Sequence, residues 1–258
     1  MNDLFDVSGK TALVTGGSRG IGLMIARGLV RAGARVIVSS RKGYEVEAAA
    51  QELAGLGECH AIPGDVSTPE GAAELAASTA ERFPALDILV NNAGATWGAT
   101  LEDFPAIGWE KVLHTNVEGV FHLTVALLGA LRAAAELNAP SRVINIGSID
   151  GLRTPGVENY SYSASKAAVH MLTRHLAKRL ASEQITVNAI APGPFESKMM
   201  AFLLDDPESR ELVESAVPLG RIGDPEDVAG LTLMLCSRAG SYLTGTVIPL
   251  DGGITGCA

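Results

Sequence analysis

Cysteine is scarce. The 258 residues hold three, Cys59, Cys236 and Cys257. An odd number at wide spacing provides neither a disulfide framework nor the paired ligands of a zinc site, so reduced thiols in a cytoplasmic protein and no bound metal are expected. Positive charge is also short, with 20 Lys and Arg against 29 Asp and Glu and a formal net charge of −9. No basic run is present, which removes the electrostatic footprint of a nucleic-acid binder. No uninterrupted apolar stretch reaches the ~18 residues of a transmembrane helix, so no membrane partner is expected. The opening MNDLFDVSGK lacks the apolar core of a secretory signal. Linkers, repeats and low-complexity segments are missing as well.

What remains is the composition of a folded chain, 47% hydrophobic and 19% charged, with 29 glycines that imply many tight turns or close backbone approaches. Short β-branched runs alternate with helical periodicity. KTALVTG, RVIVSS, CHAIPGDV, ALDILVNNAG, SRVINIGS, ITVNAIAPG and GTVIPLDGG read as seven strands. Between them lie IGLMIARGLVRAGA with its stop at Gly33, GYEVEAAAQELAGLG, and a segment opened by Thr68 as a cap with Pro69 behind it. Three more helical stretches follow: residues 108–137 as one long helix, YSYSASKAAVHMLTRHLAKRLAS, and DPEDVAGLTLMLCS. Continuous apolar strands separated by helices describe a parallel sheet covered on both faces. The expected architecture is α/β, a single domain over residues 1–258: a Rossmann-type, doubly wound, seven-stranded parallel sheet. Residues 194–220, rich in charge and methionine, break the rhythm and are expected to form a lid over a substrate site.

The first strand runs into TGGSRGIG, residues 15–22. A glycine-rich turn between a strand and a helix brings backbone N–H groups, and the positive end of the helix dipole, against a pyrophosphate. Its spacing, Gly16, Gly20 and Gly22, is not G-x-G-x-x-G. It resembles that of the short-chain dehydrogenase/reductase family. The resemblance extends through NNAG at 91–94, Asn116 in HTNV, Ser148 in INIGS, Tyr162 and Lys166, PG at 192–193, and LTG…DGG near the end, and so covers nearly the whole chain. It implies an oxidoreductase that uses a nicotinamide dinucleotide.

The second strand bears on which one. An acidic residue after it would bind an adenine ribose 2′-OH and repel a 2′-phosphate. Here Ser40 stands in that position, Arg41 follows, and Arg19 lies in the glycine loop. Guanidiniums pair with phosphate through charge-assisted hydrogen bonds, so NADP(H) is the expected cofactor. Its site would be built on Gly16, Ser18, Arg19, Gly20, Ile21 and Gly22 of the loop, with Ser40 and Arg41. The resemblance adds Asp65 and Val66 beside the adenine, Asn92, Ala93 and Gly94 near the adenosine ribose (Asn92 more as structure than as ligand), and Pro192, Gly193, Phe195 and Ser197 around the nicotinamide. Tyr162 and Lys166 belong to this set too, Lys166 holding the nicotinamide ribose.

Reduction of a ketone leaves an alkoxide that needs a proton. A tyrosine, with a reference pKa of roughly 10, gives one up more readily beside a lysine cation. Two tyrosines precede Lys166. At about 100° per residue, the four-residue step from Tyr162 returns to within about 40° of the same face, whereas the six-residue step from Tyr160 points it away. Tyr162 is therefore the expected donor, and Tyr160 a residue ahead of the regular helix that packs or shapes the pocket wall. By resemblance Ser148 would steady the substrate oxygen, and Asn116 would complete a catalytic set of Asn116, Ser148, Tyr162 and Lys166 by holding a water next to Lys166. His114 is read as structural.

Within the family, the GGSRGIG…NNAG…NV…IGS…YxxxK…PG…RxGxPEDVA…LTG…DGG series is most similar to bacterial NADPH-dependent 3-oxoacyl reductases. NNAGATWGA, GWEKV and RVINIGSIDG are similar to the branch associated with rhamnolipid production. This implies reduction of a ketone, foremost a 3-oxoacyl thioester. Where carrier-protein reductases present arginines to an acidic carrier, this chain has NAPS and ASEQ, with Glu183 of the wrong sign; Arg132, Arg142, Arg174, Lys178 and Arg179 lie nearby. Docking an acidic carrier on an acidic protein needs a local basic patch. Weak carrier dependence is therefore expected, with CoA esters or free β-keto compounds as substrates. A sugar, polyol or steroid alcohol dehydrogenase would share the catalytic set and differ at 96–99, Leu152–Asn159 and 194–220. A non-catalytic NADP(H)-sensing regulator would not need Tyr162 and Lys166 together. The resemblance also implies a homotetramer or homodimer.

Overall fold

Seven β-branched segments form one parallel sheet in a computed structural model that describes residues 4–197, 200 and 205–257. The strands are β1 (Thr11–Thr15), β2 (Arg35–Ser40), β3 (Cys59–Pro63), β4 (Ile88–Asn91), β5 (Ser141–Ile146), β6 (Ile185–Pro192) and β7 (Val247–Leu250), in the order β3-β2-β1-β4-β5-β6-β7. The helices are α1 (Gly20–Arg31), α2 (Gly43–Ala54), α3 (Pro69–Arg82), α4 (Ala106–Leu113), α5 (Gly119–Ala126), α6 (Leu128–Ala134), α7 (Tyr160–Leu180), α8 (Pro207–Ser215) and α9 (Pro225–Cys236). The doubly wound, single-domain architecture expected from the alternation is what the chain adopts.

The period-2 geometry of each strand sends its side chains alternately into two cores. Ala12, Val14, Val36, Val38, Ile88, Val90 and Ile144 pack with Ile25, Leu29, Val46, Leu53, Val228 and Leu235 of α1, α2 and α9. Leu13, Ile37, Leu89, Val143 and Val187 pack with Leu75, Leu123, Leu131, Ala177 and Leu180 of α3, α5, α6 and α7. Caps match the expected starts: the Thr68 hydroxyl accepts from the Gly71 N–H at 3.1 Å ahead of Pro69, and Asp224 forms a capping box with Asp227 ahead of Pro225. Among the described residues no single helix is long and apolar enough to cross a membrane.

Residues 108–137 depart from the expected single helix. A π-helical segment, His114–Glu118, interrupts α4 and α5, and a break at Leu127 bends α6 away by 56°. The interruption falls on Asn116, whose buried side chain is committed elsewhere in the fold (below). Tyr160 also differs from expectation, being the first residue of α7 and not upstream of it. Of the 194–220 stretch, residues 198, 199 and 201–204 lie outside the described residues. The remainder contains α8, and a bridge pairs Phe195 with Gly223.

The strand order reverses between β1 and β4. The carboxyl ends of the strands on either side of such a switch point form the crevice where ligands bind in open α/β sheets.

Candidate active site

The crevice floor is a set of turns locked by short bonds. The Thr15 hydroxyl at the end of β1 accepts from the N–H groups of Asn92 and Ala93, both at 3.0 Å. The Asn92 amide donates to the carbonyls of Thr15 at 2.9 Å and Gly16 at 3.1 Å. Asn92 thus acts as structure, tying NNAG to the glycine loop. Gly16 has φ +62°, and a Cβ on Gly22 would meet the Gly16 carbonyl oxygen at 2.3 Å, so the loop closes this tightly only on glycine. The α1 amino terminus beyond it has no side-chain cap and no acidic residue in its first turn. An uncapped helix terminus of this kind can accept an anion, which the dipole favours. Ile21 packs against the core beneath, while Ser18 lies in the loop, partly exposed. The chain from Pro192 crosses back over this turn: Ser197 approaches Gly20, Gly193 donates to the Leu250 carbonyl at 2.9 Å, and Phe195 is buried. These residues fit a dinucleotide.

Of the residues expected beside the adenine, Asp65 is exposed and accepts from the Ser67 N–H and hydroxyl, and Val66 is buried. Arg41 is exposed after Ser40. Arg19 pairs with Glu45 at 3.2 Å, and Lys42 pairs with the same carboxylate at 2.8 Å. Sequence reasoning missed Lys42 and Glu45. Only the packing of α2 against the β1–α1 turn brings them to Arg19.

At the other end, α7 presents Tyr162 and Lys166 on one face. The Lys166 ammonium lies 5.5 Å from the centre of the Tyr162 ring and donates to the Ile146 carbonyl at 2.7 Å. Ser148 follows β5, accepts from the Asp150 N–H at 3.1 Å and is hydrogen-bonded to Tyr162. Gly94 backs the site, a Cβ there falling 3.5 Å from Asn116 Oδ1 and 3.9 Å from Lys166 Nζ. Asn116 is 1% exposed. Its Oδ1 accepts from the Ala95 N–H at 2.7 Å, and its amide donates to the Ala95 carbonyl at 3.0 Å and the Ser165 hydroxyl at 2.9 Å. The side chain thereby clamps the chain after NNAG to α7. A buried ladder continues below: the Asn91 amide donates to Asn145 Oδ1 and Thr124 Oγ1, and the Asn145 amide donates to Thr173 Oγ1.

Tyr160 points elsewhere. Its hydroxyl donates to Glu158 at 2.9 Å, and its ring meets Phe104 edge-on at 5.5 Å.

Electrostatically the site is governed by burial. Burial pushes the Tyr162 phenol up to about 12; the Ser148 hydrogen bond opposes this and the Asp150 carboxylate adds to it. Burial alone pushes Lys166 down to about 8. A lysine-lowered tyrosine is thus not the state of the chain by itself: desolvation disfavours the charged form of both groups. One turn further along α7, His170 is 3% exposed, and among the described residues neither ring nitrogen has a partner at hydrogen-bond geometry. Burial pushes it down to about 4, with Lys166 contributing, so it is a neutral packing residue against Gly147 and Gly151. His114 is exposed beside Glu118.

The basic residues near the expected carrier face are mostly spent. Arg132 and Arg179 both pair with Glu183, at 2.6 and 2.5 Å. Arg142 is buried and donates to the Ser237 carbonyl at the end of α9. Arg174 and Lys178 are exposed.

A family model described as Enoyl-(Acyl carrier protein) reductase matches residues 16–255. The chain is 49% identical, over 98% of its length and 99% of the relative's, to the rhamnolipids biosynthesis 3-oxoacyl-[acyl-carrier-protein] reductase of Pseudomonas aeruginosa. It is 37% identical, over 96% of its length and 98% of the relative's, to the 3-oxoacyl-[acyl-carrier-protein] reductase FabG of Aquifex aeolicus. The solved structure described as the Pseudomonas aeruginosa RhlG/NADP active-site complex matches with a TM-score of 0.96 at 49% identity, covering 99% of this chain and 100% of that one.

Proposed function

The chain belongs to the short-chain dehydrogenase/reductase family, and on that premise we propose that it reduces the ketone of a 3-oxoacyl thioester to the hydroxy compound with NADPH. The observation that carries this reading is the convergence of Ser148 and Lys166 on Tyr162 at the carboxyl end of β5, beside a glycine loop with an uncapped helix terminus.

NADPH, when bound, supplies the hydride that adds to the carbonyl carbon. The chain does the rest. The Ser148 hydroxyl and the Tyr162 phenol hold the substrate oxygen. As the carbon–oxygen π bond opens, its electron pair settles on that oxygen, and Tyr162 gives up its proton there. Lys166, carrying a proton below about 8, stabilises the phenolate left behind. Asn116 acts as a positioning residue, holding the Ala95 backbone against Ser165 of α7.

An acyl chain suits the surroundings better than a polyol. Ala99 N–H donates to the Glu158 carbonyl, joining the loops that flank the site, and on these loops Leu101, Leu152 and Val157 are exposed. With Glu183 engaged by two arginines, the thioester is accepted on CoA as well as on a carrier protein. β7 is an edge strand, and Phe121, Val125 and Met171 are exposed apolar residues on α5 and α7; these surfaces pair copies of the chain into a homotetramer or homodimer. Buried, reduced Cys59 and Cys236, held up to about 11 and about 12 by burial, suit the cytoplasm.

NADPH oxidation measured with 3-oxoacyl-CoA, 3-oxoacyl-carrier and sugar-ketone substrates tests the reading. Turnover confined to sugar ketones, or none with any substrate despite NADPH binding, overturns it.

A further inference from the structure

Three charged groups, two from the start of α2 and one from the glycine loop, meet beside the turn after β2. Arg19 comes from the glycine loop, Lys42 precedes α2, and Glu45 stands in the first turn of α2. One carboxylate oxygen of Glu45 accepts from Lys42 Nζ at 2.8 Å and from the Tyr44 hydroxyl at 3.2 Å; the other faces Arg19 at 3.2 Å. Glu45 is only 24% exposed, whereas its two cations are more than half exposed. The carboxylate thus lies between two cations, under a phenol hydroxyl, at the amino terminus of a helix that no side chain caps. Every one of these features favours an anion. The Lys42 hydrogen bond, foremost, keeps Glu45 ionised, and the Glu45 hydrogen bond keeps Lys42 protonated.

This is also where the end of β2 offers Ser40 and Arg41 with no acid. The second-strand carboxylate that would exclude a 2′-phosphate is missing there, and an acid appears instead one turn into α2, already neutralised by the cations a phosphate would seek. A phosphate monoester carries about −1.5 to −2 charge at neutral pH. It cannot share Arg19 and Lys42 with an ionised carboxylate without repulsion.

Resting on the NADP(H) reading, we propose that Glu45 is a specificity-determining residue: an internal stand-in for the 2′-phosphate that orders Arg19 and Lys42 in the free protein and is displaced from at least one of them when NADP(H) binds. Lys42 is accordingly a third cation of the phosphate site, beside Arg19 and Arg41. The carboxylate lowers the affinity for NADPH without affecting NADH, which lacks the phosphate.

Equilibrium binding of NADPH and NADH, followed by nicotinamide fluorescence at low and raised salt, tests this on the full chain. Glu45→Gln removes the charge and keeps the shape. It is expected to tighten NADPH by about three- to ten-fold while leaving NADH within about two-fold, because only the phosphate feels the lost repulsion. Lys42→Ala is expected to weaken NADPH by about three- to ten-fold, to spare NADH, and to flatten the salt dependence of NADPH binding. A Glu45→Gln protein whose NADPH-to-NADH affinity ratio is unchanged or lower overturns the proposal while leaving the cofactor reading intact. A wild type that prefers NADH overturns the cofactor reading, and this proposal with it.

Discussion

Lys166 stands one helical turn beyond Tyr162, its ammonium 5.5 Å from the centre of the tyrosine ring and bonded to the Ile146 carbonyl at 2.7 Å. The bond anchors a lysine that has no carboxylate partner among the described residues to the end of β5, next to Ser148. Proton donor, cation and oxyanion partner are held by one helix and one strand end, both rigid elements of the core.

The two tyrosines are expected to separate cleanly. Tyr162→Phe should lower turnover by about 10²–10⁴-fold, the span of a general acid's contribution, with NADPH binding retained. Tyr160→Phe loses only a bond to exposed Glu158 and should stay within about two-fold, since surface substitutions cost little. Steady-state rates with a 3-oxoacyl thioester, beside a binding titration, check both. A dead Tyr160→Phe enzyme would contradict the face assignment.

Ketone reduction should be favoured on the acid side of about 8. Lys166 carries its proton below that value and loses it above, while the phenol, up at about 12, keeps its proton throughout. The kcat profile is therefore expected to fall as pH rises through about 8. A profile flat to pH 10 would exclude a required Lys166 cation.

Lys166 burial has a stability counterpart. Its folded pKa, down at about 8 from 10.5, means that between these values the unfolded chain binds the proton and the folded chain does not, so stability rises with pH across that window. Lys166→Met removes the buried charge. It should raise stability near pH 7 by on the order of 2–3 kcal/mol, and that advantage should shrink toward pH 10 while turnover is lost at every pH. Thermal melts across pH provide the measurement.

Asn116→Ala should be costly in both respects. It strips the Ala95 N–H and carbonyl of their side-chain partner and removes the bond the Ser165 hydroxyl accepts, and an unpaired buried polar group costs about 1–3 kcal/mol. Denaturant unfolding is expected to show a loss in that range, and kcat should fall with little change in NADPH affinity, because the clamp holds α7, which carries Tyr162 and Lys166.

What the sequence determined by itself is what depends on local period and local turn chemistry. β-branched runs alternating with 3.6-residue patterns specify a doubly wound parallel sheet. The glycines of TGGSRGIG specify a turn that a Cβ would break, and the four-residue step from Tyr162 to Lys166 specifies a shared face. The tertiary structure decided everything that depends on who is buried against whom. The helix over 108–137 is broken at Asn116, whose side chain is taken up by Ala95, which lies on a loop distant in sequence. Tyr162 and Lys166 are shifted away from their charged forms because the core around them excludes water, and the Asp150 carboxylate adds to the shift of Tyr162. Arg142, an unremarkable basic residue in the chain, is buried under α9. Glu45 lies between Arg19 and Lys42 because α2 packs beside the glycine loop, and no periodicity in the chain foretells an ion pair across that turn.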